Sequence, residues 1–312
     1  MQKKEISFRS ADGIQRIHAV EWLPEGEPKA ILQIVHGMAE YVERYEDFAT
    51  FMTEHGYIVV GEDHLGHGKS VGENGKRGFF CEGDAASIVV KDVHRLHEEI
   101  VGEYPTLPCF ILGHSMGSFI TRNYLTEYGF EVQGAVIMST GMQPRLLLRC
   151  SKLFAKLEGA IRGYKHESAI LDYIVFGSYC KKIPEHPTSF EWLTRDEEIV
   201  AKYVASPDCG FKFTDNGFIT LFELLLRLHD TDRLSGIPKN LPLFFVAGTD
   251  DPVGNYTKGV EAAVRSVEKA GVKNIKKKYY AGMRHEILNE KEHQIVYEDL
   301  LSFFDDILVG AK

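Results

Sequence analysis

A serine flanked by glycines, set between a buried strand and a helix, constrains the fold of this chain more than any other feature. Residues 109–112 form a short apolar run typical of a buried strand, and residues 118–128 carry apolar side chains at helical spacing. Between them lies G-H-S-M-G, with Ser115 at its centre. Glycines permit the tight turn of such a junction, which raises the serine hydroxyl clear of the sheet at a helix N-terminus. This context favours Ser115 as a nucleophile over an ordinary turn serine.

The rest of the chain alternates strands and helices. Residues 5–22 predict a β-hairpin that turns at 11–13. Further strands are predicted at 30–35, 57–61, 132–139, 241–247 and 275–280, and helices at 44–55, 84–104, 258–270 and 291–308. This alternation predicts an α/β fold, a mostly parallel central sheet flanked by helices on both faces.

The alternation is interrupted once. Residues 141–235 show mainly helical or irregular patterns, without a strand of the core type. We therefore predict a core of residues 1–140 and 236–312, and a helical cap insertion at 141–235. A long insertion at the carboxyl edge of a sheet is where a lid over an active site lies. Its apolar runs either bind an apolar substrate or form only the core of the cap.

A serine nucleophile needs a base and an acid that orients the base, and later strands offer both. Asp250 and Asp251 follow the strand at 241–247, and His285 follows the strand at 275–280. Any one of them alone could be a surface residue, but their joint order after Ser115 predicts a catalytic triad. Of the two acids we choose Asp251, because it precedes Pro252 and is thereby biased toward an extended backbone.

The oxyanion of the reaction intermediate needs two preorganised donors. One is expected from the backbone N–H of Met116, which follows the nucleophile. The other is expected from the N–H of Met38, because His36-Gly37 lets the chain turn sharply after the strand at 30–35.

Composition excludes several classes of function. The chain has 312 residues, 44% hydrophobic, with a formal net charge of −9 and no large basic cluster, which argues against a nucleic-acid partner. We find no apolar run long enough to span a bilayer and no secretory signal. Five scattered cysteines without C-x-x-C spacing favour a reducing cytoplasm over disulfides or zinc. Asp63-His64 has no second ligand pair, and Gly66 and Gly68 fit neither nucleotide motif, so we expect no metal and no cofactor.

Several segments together resemble the monoacylglycerol lipase and lysophospholipase family of α/β-hydrolases, which is related to the serine aminopeptidases of family S33. The matching segments are H-G-M-A-E-Y-V-E-R-Y at 36–45, D-H-L-G-H-G-K-S at 63–70, G-H-S-M-G at 113–117, G-T-D-D-P-V at 248–253 and the histidine loop at 282–285. The resemblance independently selects Asp251 as the acid. It does not extend to residues 141–235.

The resemblance implies a serine hydrolase that cleaves one acyl ester from a glycerol lipid, a monoacylglycerol or lysophospholipid, through an acyl-enzyme. The cysteines favour a cytoplasmic location. Apolar surface exposed on an acyl-binding lid would allow transient contact with lipid aggregates. Two other enzyme classes stay open: a short-acyl carboxylesterase, and an aminopeptidase, in which Glu158, Glu167 or Asp172 would hold the substrate ammonium. A ligand-binding protein on a hydrolase fold is the alternative outside enzymes.

Overall fold

A single sheet forms the centre of the protein. The computed structural model describes residues 1–72, 75–183 and 187–310, and within these ranges eight strands form the sheet. The strands are β1 (Gln2–Arg9), β2 (Arg16–Leu23), β3 (Ala30–Val35), β4 (Tyr57–Glu62), β5 (Cys109–His114), β6 (Gly134–Met138), β7 (Leu243–Gly248) and β8 (Ile275–Tyr280). Their order is β1-β2-β4-β3-β5-β6-β7-β8, with the β1–β2 and β2–β4 pairs antiparallel and the others parallel.

Ten α-helices accompany the sheet in the same ranges. They are α1 (Glu46–Glu54), α2 (Ala85–Glu103), α3 (Met116–Tyr128), α4 (Arg145–Arg162), α5 (Ala169–Phe176), α6 (Glu197–Ala205), α7 (Asp215–Arg227), α8 (Thr231–Leu234), α9 (Lys258–Lys269) and α10 (His293–Gly310). The predicted elements lie within a few residues of these bounds. One predicted start differs: the helix expected at 44–55 is preceded by a 3-10 turn, Val42–Tyr45, and α1 begins only at Glu46.

The inner strands of the sheet are buried on both faces, as the apolar runs predicted. Every residue of β3, β5, β6 and β7 is buried. Successive residues of one strand face opposite layers: Ile111 packs in the layer covered by α2, α3 and α9, whereas Leu112 packs in the layer covered by α1 and α10. The predicted α/β fold with a mostly parallel sheet is confirmed.

Five of the helices, α4 to α8, lie between β6 and β7, where the sequence predicts the cap. Because α8 packs against α3 and α9, the cap boundaries of 141 and 235 stay a prediction. Within the described ranges, no helix is both long and apolar enough to cross a membrane.

Parallel strands have their carboxyl ends at one edge of the sheet, and this edge gathers the predicted site residues. Ser115 follows β5, Asp251 lies in the loop after β7 and His285 lies in the loop after β8. Met38 lies in the loop after β3, and β3 is the neighbour of β5. Residues far apart in the chain are therefore brought to one edge.

Candidate active site

Ser115 occupies a strained turn between β5 and α3. Its φ of 53° and ψ of −119° lie outside the regions that residues with a side chain favour. The flanking glycines are required here, since a Cβ on Gly117 would overlap the carbonyl group of Val35 and a Cβ on Gly113 would overlap Gly117. The Ser115 N–H donates to the Met138 carbonyl oxygen at 3.0 Å. The turn holds the serine half-exposed at the wall of a cavity.

Asp251 and His285 form a buried hydrogen-bonded pair. His285 Nδ1 lies 3.0 Å from Asp251 Oδ1, and both side chains are at most 2% exposed. Asp251 Oδ1 also accepts the Val253 N–H at 2.8 Å, which fixes the carboxylate relative to its own loop. Asp250, the alternative acid, is exposed, and its carboxylate accepts the hydroxyl of Thr249 instead. The geometry therefore favours Asp251 as the acid.

One cavity of about 890 Å³ brings the remaining predicted residues together. Ser115, His285, Met38 and Met116 all line it, and Asp251 lies behind His285. Met116 is the first residue of α3, so its N–H lacks an intrahelical acceptor and is available to a ligand. The five predicted residues thus meet at one place, and their catalytic roles remain proposals.

The walls of the cavity are predominantly apolar. Helices α4, α5 and α7 contribute Leu147, Leu148, Val175, Phe176, Leu221, Phe222 and Leu225. The apolar segments predicted for the insertion thus contribute both to the cavity and to the packing of the cap, because Leu224 of α7 is fully buried away from it. Such a cavity fits an apolar ligand with a few polar contacts.

The acids proposed for an aminopeptidase are not gathered at this cavity. Asp172 lies on its wall, together with Lys212. Glu167 is exposed and pairs with Lys76, and the carboxylate of Glu158 accepts the hydroxyl of Ser168. Of the three proposed acids only Asp172 lines the cavity, which is weaker support for ammonium recognition than a cluster of them would be.

A buried network of charges lies beside Ser115 and His285. Arg44 donates to Glu40 Oε2 at 2.6 Å and to both carboxylate oxygens of Glu286 at 2.7 Å. Glu286 follows His285 in the chain, and His114 precedes Ser115. His114 Nδ1 lies 3.2 Å from Glu40 Oε1, which also accepts the Tyr45 hydroxyl at 2.9 Å. Glu40 and Arg44 are four positions apart, and their ion pair spans a 3-10 turn rather than a regular helix.

The network determines the charges of its members. Burial alone would raise the pKa of Glu40, but the His114 hydrogen bond and the Arg44 charge outweigh burial and hold that pKa well below its ordinary value. Burial would lower the pKa of His114, yet its hydrogen bond to Glu40 raises it overall. Burial would raise the pKa of Glu286, but the Arg44 charge outweighs burial and lowers it overall. The network therefore favours the charged form of both carboxylates, with Arg44 as their shared cation.

Trp192 and Leu193 also belong to the site, and no sequence pattern indicated them. The Trp192 ring centroid lies 5.1 Å from that of His285, and the Leu193 carbonyl accepts the Glu286 N–H at 2.6 Å. Both line the cavity. The one sign of Trp192 in the sequence was the rarity of tryptophan, which occurs only twice.

A mostly parallel eight-stranded sheet, a serine at a strand–helix elbow and a histidine–aspartate pair on later strands define an α/β-hydrolase. The chain belongs to the family described as serine aminopeptidase, S33, whose model matches residues 26–292. The resemblance stated from the sequence is thereby confirmed.

Known proteins resemble the chain, two of the three described here over nearly its whole length. A monoacylglycerol lipase of Mycolicibacterium smegmatis is 27% identical over 303 residues, 96% of each chain. Human monoglyceride lipase is 35% identical over 130 residues, 42% of this chain and 41% of that protein. The crystal structure of a thermostable carboxyl esterase from Bacillus coagulans in complex with glycerol superposes with a TM-score of 0.90, at 28% identity and 99% coverage of both chains.

Proposed function

We propose that this protein is a serine hydrolase that cleaves the carboxylic ester of a monoacylglycerol through an acyl-enzyme. The observation that carries the proposal is that Ser115 and the buried His285–Asp251 pair meet at one large, mostly apolar cavity. The chain resembles a monoacylglycerol lipase and a carboxyl esterase crystallised with glycerol over nearly its whole length, which supports this substrate class.

In the proposed mechanism the Ser115 hydroxyl attacks the ester carbonyl while His285 Nε2 takes its proton. Asp251 holds the imidazole tautomer that makes this possible and stabilises the imidazolium. The N–H groups of Met38 and Met116 stabilise the oxyanion. His285 then protonates the leaving glycerol oxygen, and afterwards activates the water that releases the fatty acid and restores the serine.

The cavity walls support an acyl substrate over a peptide. The apolar side chains of α4, α5 and α7 provide a site for an alkyl chain, each methylene of which contributes about 1–3 kcal/mol to discrimination. A lysophospholipid carries the same acyl group, so we retain it as the related substrate. Asp172 is the observation that would favour an aminopeptidase, and amide substrates test it.

We also propose transient contact with lipid aggregates through α4 and α5. Large apolar side chains on these helices are well exposed, which is the surface that an aggregate of substrate would cover. They are Leu146, Leu153, Leu157, Ile161, Ile170 and Tyr173. All five cysteines are free, which supports our proposal that the protein acts in the cytoplasm.

Ser115→Ala tests the nucleophile, and a matched aspartate pair tests the acid. We expect Ser115→Ala to lose fluorophosphonate labelling and about a million-fold in monooleoylglycerol turnover. Asp251→Asn should lose about ten-thousand-fold, because the amide favours the wrong imidazole tautomer, whereas Asp250→Asn should keep wild-type activity.

Each possible failure of this test has a distinct meaning. Labelling or turnover that survives in Ser115→Ala would exclude Ser115 as the nucleophile. Greater loss in Asp250→Asn than in Asp251→Asn would move the acid by one residue. Hydrolysis of aminoacyl-anilides in preference to monooleoylglycerol and p-nitrophenyl esters would replace the lipase with an aminopeptidase, and acetate esters as the best substrates would indicate the short-acyl esterase.

A further inference from the structure

A second group of ligand-type side chains lies where α4 meets the start of α7. Glu158 belongs to α4, His166 lies in the loop after it, and Asp215 is the first residue of α7. One oxygen or ring nitrogen from each lies within 4.8 Å of the others, and Glu158 Oε1 is 3.6 Å from His166 Nε2. None of these three residues lines the active-site cavity. The group therefore requires an explanation separate from ester hydrolysis.

Among these three residues, Asp215 has the carboxylate that most needs a partner. Its side chain is fully buried, and neither carboxylate oxygen has a hydrogen-bond partner among the described residues. A buried carboxylate without a partner costs several kcal/mol. The Glu158 carboxylate lies beside Asp215, in the same group of ligand-type atoms. The site thus favours either a proton or a cation between the two acids.

The surrounding backbone holds the three side chains in place before any ligand binds. The Asp215 N–H donates to the His166 carbonyl at 2.8 Å, and the hydroxyl of Ser168 donates to the second oxygen of Glu158. A Cβ on Gly159 would lie 3.3 Å from Asp215 Cβ and would overlap the ring of Tyr164, so this glycine permits the close approach. Such second contacts orient ligands in metal sites.

The charges nearby leave room for a divalent cation. The Arg162 guanidinium lies 3.8 Å from Glu158 Oε1, but it is 60% exposed and can turn to solvent. The N-terminus of α7 contributes about half a positive charge, which two carboxylates outweigh. The His166 side chain is 27% exposed, so the group is open to solvent on that side.

We propose that Glu158, His166 and Asp215 bind one Zn²⁺ ion, with water completing the coordination. Tetrahedral zinc with bonds of about 2.1 Å separates its ligand atoms by about 3.4 Å, close to the distance between Glu158 and His166. One imidazole with two carboxylates is a donor set suited to Zn²⁺ rather than to Ca²⁺ or Mg²⁺. The ion would join α4 to α7, two walls of the cavity.

The test measures zinc content and thermal stability instead of hydrolysis, so its outcome is independent of the proposed lipase activity. Protein treated with EDTA is equilibrated with Zn²⁺ and assayed by mass spectrometry for bound metal, in the wild type, His166→Ala and Glu158→Gln. His55→Ala, which removes an exposed histidine at the end of α1, is the matched control. Exposed Cys150 contributes equally to the background in all four proteins.

We expect the wild type and His55→Ala to bind one tight Zn²⁺ per chain that raises the melting temperature. Both ligand variants should bind this ion at least about 100-fold more weakly, without that rise. Equal tight binding by His166→Ala, or no tight zinc in the wild type, would overturn the proposal. If Asp215→Asn raises the melting temperature and Zn²⁺ does not, the two acids share a proton and the metal site is wrong.

Discussion

Replacing Arg44 by methionine tests the buried charge network beside the active site. Its guanidinium joins two carboxylates, Glu40 and Glu286, and all three side chains are at most 10% exposed. Methionine keeps much of the apolar stem but removes the charge and the forked donors. The change therefore leaves two buried negative groups without the cation that joined them.

The loss of stability depends on which contacts the two carboxylates keep in the variant. Glu40 would keep the N–H of Gly37 at 2.6 Å and the Tyr45 hydroxyl at 2.9 Å, whereas Glu286 would keep the amide of Asn289 at 2.9 Å. Most of the penalty therefore falls on Glu286. Removing one partner of a buried ion pair costs about 3–5 kcal/mol, so we expect the free energy of unfolding to fall by about 4 kcal/mol at pH 8.

The penalty should depend on pH in a defined direction. Arg44 lowers the pKa of folded Glu286 below its ordinary value of 4.5, so this pair stabilises the fold above that pH and the stabilisation is lost as the pH falls through the folded value. In Arg44→Met, burial without the cation raises the pKa of Glu286, and the carboxyl takes up a proton as the pH falls from 8 to 5. The difference between variant and wild type should therefore shrink on acidification.

Urea denaturation of the wild type, Arg44→Met, Glu286→Gln and the double variant measures this penalty at pH 8 and pH 5. The double variant should be more stable than the sum of the single losses predicts, with a coupling of at least about 2 kcal/mol. A loss below about 1 kcal/mol at both pH values, with additive single effects, would refute the reasoning and indicate that water solvates these carboxylates.

Two further predictions concern the acyl cavity and a buried acid. Leu147 lines the cavity and its neighbour Leu146 does not. Leu147→Glu should therefore lower the ratio of kcat/KM for p-nitrophenyl decanoate to kcat/KM for p-nitrophenyl acetate about tenfold. An equal effect of Leu146→Glu would contradict the assignment of Leu147 to the acyl site. Burial and the Glu62 carboxylate raise the pKa of Asp92 from 3.8 to about 7. At pH values between these two, the folded protein therefore binds one more proton at Asp92 than the unfolded protein does. Urea denaturation of the wild type and Asp92→Asn measures this effect. The free energy of unfolding of the wild type, relative to the variant, should fall by about 1.4 kcal/mol per pH unit up to about pH 7 and then level off. A difference that stays constant with pH would mean that the pKa of Asp92 is not perturbed.

The sheet and the elbow were predictable from the sequence because both depend on local chemistry. Strands buried on two faces are continuous apolar runs, and helices that cover them carry apolar residues at helical spacing. The turn at Ser115 needs its flanking glycines at fixed positions. The order of Ser115, Asp251 and His285 along the chain added topology to these local patterns, so residues 136 to 170 positions apart could be placed at one edge.

Contacts between distant loops were not predictable in this way. The Arg44–Glu286 pair joins residues 242 positions apart, and only Glu40, Arg44 and Tyr45 of the network lie within one motif. Trp192 belongs to an irregular segment without periodicity, yet it lies against His285. Such contacts depend on how the loops after β3, β8 and α5 fold over one another, which no local pattern specifies.

Backbone strain at the same edge is sustained by contacts between distant residues. Ala39, Ser115 and Ser139 follow three neighbouring strands, and each has a φ between 51° and 53° although none is glycine. Each such conformation costs about 1–3 kcal/mol, so it persists only where long-range contacts enforce it. The Ser115 N–H donates to Met138, and the Ser139 hydroxyl donates to the His285 carbonyl at 2.6 Å. Ser139 thus joins the histidine loop to β6 directly beside the elbow, so the tertiary structure that sustains the strain also determines where the serine and the imidazole meet.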